Sequence, residues 1–138
     1  MKKRADGQIS GLAGELFVAA ELLKRDIQTS VTFGNAKAID LFAYNPITEK
    51  SFNIQVKTLR TKNYYPLKLD RVHPKHIYVF VLLNKPGEPV RYFILPGQEI
   101  ISHPEKFGKD INNPVFPCID PKHLIGYENN WSLFSKTD

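Results

Sequence analysis

SFNIQVKTLR, residues 51–60, is the stretch whose reading decides the fold. Apolar Phe52, Ile54 and Val56 alternate with polar Asn53, Gln55 and Lys57. A period of two marks a strand with one face in a core and the other toward something polar. The polar face is unusual for so apolar a strand, because Gln55 and Lys57 stand side by side on it. A lysine rooted in a core strand costs free energy unless it meets an anion or opens on a cleft. The stretch therefore predicts a strand over 51–59 and, on its polar face, a candidate site.

Outward from that strand, two further elements carry the same kind of anomaly. AIDLFAY, residues 38–44, reads as a strand interrupted by Asp40, and NPITEK closes a hairpin between it and the strand at 51–59. Cross-strand neighbours in such a hairpin lie about 5 Å apart at their Cβ atoms, so Asp40 can reach the Gln55–Lys57 pair. Residues 8–25 predict a helix: Ile9, Leu12, Ala13, Leu16, Ala20 and Leu23 form one apolar stripe at helical spacing. Gly11, Glu15, Val18 and Leu22 form a second line, on which Glu15 is out of place. A short strand over 28–33 follows, punctuated by a turn at Gly34 and Asn35. A helix followed by three strands joined by short turns is an antiparallel meander packed on a helix.

Two carboxylates and an amide oxygen, drawn from three elements, are hard oxygen donors suited to Mg²⁺. A lysine beside them can orient a water or stabilise charge that builds on phosphorus. Glu15 on the first helix, Asp40 on a strand and Gln55-Val56-Lys57 on the next strand together resemble the PD-(D/E)xK nucleases. That superfamily includes restriction endonucleases, archaeal Holliday-junction resolvases and repair nucleases. The resemblance covers about residues 8–59. Ile39 stands where the motif has proline, and Gln55 stands where it has an acid, a QxK variant resembling that of Mrr-type restriction nucleases.

The resemblance implies a restriction-endonuclease-like α+β or α/β fold, with a central mixed sheet flanked by helices. It implies catalytic roles for Lys57, Asp40, Gln55 and Glu15. Mg²⁺ or Mn²⁺ would be held by Asp40, Glu15, Gln55 and the Val56 carbonyl. The expected activity is hydrolysis of DNA phosphodiester bonds. The alternative is a catalytically silent module on the same fold that binds nucleic acid or protein, since one negative charge is missing at Gln55. Many nucleases of this kind pair up, so a homodimer is open, although no heptad or exposed apolar stripe in the sequence specifies one.

The remainder of the chain fills in around this. Residues 60–76 are broken by Pro66 and Pro74, which oppose a long helix. There Arg60, Lys62, Lys68 and Arg71 surround Tyr64 and Tyr65, a basic and aromatic mixture suited to phosphate contact and base stacking. IYVFVLL, 77–83, reads as a central strand buried on both faces, and VRYFIL, 90–95, as its antiparallel partner. GQEIISHPEKF holds one short helix, and Leu124, Tyr127, Trp131 and Phe134 suit an amphipathic segment that covers the core. The four histidines lack metal-ligand spacing and read as structural or surface groups.

Length and composition set the outer bounds. With 138 residues and a hydrophobic fraction of 42%, the expectation is one domain, 1–138, with a real core. No apolar run approaches the roughly 20 residues of a membrane helix. The basic N-terminus leads into an amphipathic helix and not into a signal core. The lone Cys118 permits no internal disulfide and reads as a small semi-buried side chain; together these predict a cytoplasmic protein. The net charge of +5 favours a polyanionic partner.

Overall fold

The computed structural model describes residues 2–34 and 38–137, with side chains from residue 7 onward. The first helix, α1, spans Lys2–Lys24. It ends where Asp26 takes a left-handed conformation (φ 63°) and the Ile27 N–H bonds back to the Leu22 carbonyl. Three strands follow, β1 (Gln28–Val31), β2 (Leu41–Asn45) and β3 (Lys50–Leu59). They form the antiparallel meander that the alternation predicts, with Val31 opposite Leu41 and Leu41 opposite Ile54. Of the expected turn at Gly34 and Asn35, Asn35 lies outside the described residues. The 38–44 strand is shorter at its start than its alternation suggests, beginning only after Asp40.

Beyond β3 the chain crosses over through residues 60–76 without an α-helix, as the prolines demand. It forms only a two-residue strand, β4 (Tyr65–Pro66), and one 3-10 turn, Leu69–Arg71. β5 (Ile77–Leu82) then returns parallel to β3, with Gln55 beside Tyr78 and Lys57 beside Phe80. β6 (Arg91–Pro96) runs antiparallel to β5 and leads into α2 (Gly97–Ser102). The five-stranded sheet has the order β1-β2-β3-β5-β6, mixed in direction, with β3 at its centre. β4 pairs with β7 (Cys118–Ile119) in a separate two-stranded patch.

Each face of the sheet has its own core. On one, Ile54, Val79, Val81 and Ile94 pack against Val18, Ala19 and Leu22 of α1 and against Trp131 and Phe134 of the tail. On the other, Tyr78, Phe80, Phe93 and Leu95 pack against the crossover and the short helices of residues 97–127. β5 is buried along its whole length, as its unbroken apolar run requires.

Helix α1 turns the opposite side to the sheet from the one its larger residues suggest. The stripe of Ile9, Leu12, Leu16 and Leu23 faces outward, with Ile9 59% exposed. The second line faces inward instead: Ser10, Gly14, Val18 and Leu22 are buried, and Gly11 and Glu15 half-buried. The cause is close approach. A Cβ at Gly14 would overlap the hydroxyl of Thr58 on β3, so only a glycine lets the helix axis come this near. An exposed apolar stripe is therefore present, contrary to the sequence expectation. It comes from the preference of the helix for its small-residue line.

Candidate active site

The strands β2 and β3 part company at Asp40. Their ladder runs to the Leu41–Ile54 pair, and one residue further the Asp40 N–H still donates to the Ile54 carbonyl, at 2.9 Å. The next free donor on that edge of β3, the Val56 N–H, is taken by the Asp40 carboxylate at 2.8 Å. A side chain thus replaces the missing strand, and a fork opens along the second half of β3. In extended backbone the N–H and C=O of one residue leave on the same edge. The Val56 carbonyl accordingly opens on the fork with Asp40.

Glu15 follows Gly14, where α1 comes close to Thr58 of β3, and lies near enough to Asp40 to feel its charge. Its carboxyl is raised above the usual range, first by burial and then by the negative charge of Asp40. A carboxyl whose ionisation is opposed by a neighbouring carboxylate marks a place where a cation would be favourable.

Gln55 and Lys57 lie on the opposite face of β3 from Ile54 and Val56. They line a cleft of about 410 Å³ with Ala38, Tyr78 and the crossover residues Pro66, Leu67, Lys68 and Arg71. Gln55 is 9% exposed and held firmly. Its amide nitrogen lies 2.9 Å from His76 Nδ1 and donates to the Tyr78 hydroxyl at 3.0 Å. Tyr78 also accepts the His73 N–H at 2.9 Å, and the His73 and His76 rings stack at 3.8 Å. Burial and the neighbouring His73 both lower the His76 pKa, favouring the neutral ring.

The basic and aromatic segment that follows β3 does not act as one unit. Arg60 donates through Nε to Ser10 of α1 at 3.0 Å and so ties the end of β3 to the helix. Tyr65 is 1% exposed and packs edge-on against Phe80, so, contrary to the expectation from its sequence context, it cannot stack on a nucleic-acid base. Burial pushes its phenol well up. The chain alternates through β4, and an aromatic at the inward position goes to the core. Tyr64 points the other way, against Asp120, whose charge raises its phenol. A carboxylate neighbour is unfavourable for phosphate contact. Lys62 is exposed, while Lys68 and Arg71 line the cleft.

Sequence reasoning missed His76 and Tyr78. The usable signal is the alternation His76, Tyr78, Phe80, which continues the face of Gln55 once β5 is known to run beside β3. It also missed a shallow groove of about 380 Å³ on the β1–β3 end of the sheet, where Phe42 and Tyr44 are exposed beside Ser51 and Asn53. Phe42 and Tyr44 share the parity of Asp40, two and four residues on.

Among the described residues, no group of three or more His, Cys, Asp or Glu side chains converges as a metal-binding cluster. A cation at the fork would rest on two carboxylates and neutral oxygens. That donor set suits Mg²⁺, which binds through one or two carboxylates and keeps several waters.

Similarity to known proteins lies at the level of the fold. The chain resembles the solved structure of a bacterial homing endonuclease, I-Ssp6803I, with a TM-score of 0.55 over 91% of this chain and 90% of that one, at 15% identity. No protein-family model and no curated protein sequence matches it. The fold shared with that structure is thus a mixed α+β sheet behind an N-terminal helix. Among the described residues, no helix is long and apolar enough to cross a membrane.

Proposed function

We propose that the chain is a divalent-metal-dependent nuclease, a single cytoplasmic domain that hydrolyses DNA phosphodiester bonds as a QxK variant of the PD-(D/E)xK superfamily. The observation that carries this reading is the fork. There Asp40 caps the Val56 N–H, and its charge raises the carboxyl of Glu15, which arrives from a different element. The structural likeness to a homing endonuclease supports it at the level of the fold.

Asp40 and Glu15 would hold Mg²⁺ or Mn²⁺, with neutral oxygens from Val56 and Gln55. When bound, the ion lowers the pKa of a water and shields phosphate charge. Lys57, in the adjoining cleft, contributes a positive charge where negative charge grows on the phosphoryl oxygens, and orients the attacking water. Lys68 and Arg71 line the same cleft and raise the local concentration of a polyanion. Gln55 supplies one negative charge less than the usual acid, so weaker affinity for the ion is expected.

Incubation with plasmid, linear and branched DNA plus Mg²⁺ or Mn²⁺ tests the proposal. Cleavage should fall at least a hundredfold in Asp40→Asn and Lys57→Ala, on the order expected for loss of a charge-stabilising group. Cleavage that persists in both variants contradicts it. Absent cleavage with retained, salt-sensitive DNA binding would favour the silent binding module instead.

A further inference from the structure

An amide side chain has a donor end and an acceptor end, and only the acceptor end can face a cation. Gln55 replaces the acid of the motif, so its orientation matters in a way that a symmetric carboxylate's does not. In the structure its nitrogen faces two groups at once, His76 Nδ1 at 2.9 Å and the Tyr78 hydroxyl at 3.0 Å. An amide nitrogen carries two hydrogens and no lone pair to offer, so His76 Nδ1 must accept, which requires a neutral ring protonated at Nε2.

These partners are themselves fixed. Tyr78 sits on β5 beside Gln55 on β3 and accepts the His73 N–H. The His76 carbonyl accepts the Gly97 N–H at 2.8 Å, and the His76 N–H donates to the His73 carbonyl at 3.2 Å. A Cβ at Gly97 would overlap the His73 carbonyl and crowd the Tyr78 ring, so this loop can sit here only against glycine. His76 is 6% exposed, which leaves it little room to move.

We propose that His76 and Tyr78 are positioning residues that take both amide protons of Gln55 and so turn its carbonyl oxygen toward the cleft as a neutral ligand for a divalent cation. The inference rests on the proposed metal site. It adds that a glutamine serves in the acidic position of this chain because the fold supplies two acceptors to orient it. Outer partners of this kind typically change metal affinity by 10–100-fold.

Mn²⁺ binding by calorimetry, without DNA, tests the assignment in a double-mutant cycle. His76→Phe, which cannot accept, should weaken Mn²⁺ binding about tenfold or more. In a Gln55→Glu background the same change should cost much less, because the two oxygens of a carboxylate are equivalent. Equal loss in both backgrounds, or none in either, overturns the inference while leaving the metal site standing. Absence of any Asp40-dependent Mn²⁺ binding in the wild type overturns the proposed function and this inference together. A second measurement needs no variant. In ¹⁵N-labelled wild-type protein, a scalar coupling across the Gln55 Nε2–H···Nδ1 His76 bond is expected. A folded protein without that coupling has the amide reversed, which contradicts the assignment.

Discussion

Glu15 is the residue at which stability and the proposed activity pull apart. Its carboxyl titrates above the ordinary value of 4.5 because of burial and the charge of Asp40. A group whose folded pKa is raised stabilises the fold below its unfolded pKa, and that contribution is lost as pH rises through the folded value. In metal-free buffer Glu15→Gln should therefore raise the Tm relative to wild type at neutral pH, and the advantage should vanish near pH 4. Added Mn²⁺ should raise the Tm of the wild type and leave that of the variant almost unmoved. Thermal melts at the two pH values, with and without Mn²⁺, check both signs. At this scale Glu15, Asp40, Gln55 and Lys57 were legible as residues that break their local pattern. His76 and Tyr78 were not. A 60–76 crossover carries no turn chemistry that fixes a parallel register, and without the register nothing places Tyr78 beside Gln55. Tyr65 was misread for a related reason: which of two adjacent tyrosines faces inward depends on β4, a two-residue strand that exists only through its pairing with β7.

The helix and β3 form the element on which the site depends. Gly14 and Gly11 lie three residues apart, yet they are held to different standards. Gly14→Ala must displace Thr58 or the helix and should cost about 1–3 kcal/mol, the usual penalty of overpacking. It should also weaken Mn²⁺ binding by moving the neighbouring Glu15. Gly11 has nothing within 4 Å of a built Cβ, so Gly11→Ala should stabilise by about 0.5–1 kcal/mol through helix propensity. Chemical denaturation of the two variants makes the comparison. The two apolar lines of α1 give a parallel contrast. Leu22→Ala should cost about 2–5 kcal/mol, whereas Leu16→Ala should stay within about 0.5 kcal/mol. The helix itself, the meander and the proline-broken crossover were all readable from periodicity and breakers. The buried side of α1 was not, because the stripe with more hydrophobic volume lost to the line that permits closer packing.

Across the whole molecule, the two faces of the sheet divide the work. One face, with α1 and the tail, builds the core behind the fork. The other carries Gln55, Lys57, Lys68 and Arg71, and on the same face the groove with exposed Phe42 and Tyr44 continues past Asp40. The seven residues of β3 from Ser51 to Lys57 span six steps, about 20 Å at strand rise, the length of roughly six base-pair steps. Phe42→Ala should accordingly weaken DNA binding without changing Mn²⁺ affinity, and Lys68→Ala should lower the salt dependence of binding by about one counterion. Fluorescence anisotropy over a salt series measures both. The proposed function would have Asp40, Glu15, Val56 and Gln55 share one cation position at the fork between β2 and β3. Anomalous scattering from crystals grown with Mn²⁺ tests it most directly. A single strong peak within about 2.0–2.3 Å of carboxylate oxygens from both Asp40 and Glu15 is expected. A peak elsewhere, or none at the fork in crystals that contain Mn²⁺, would contradict it.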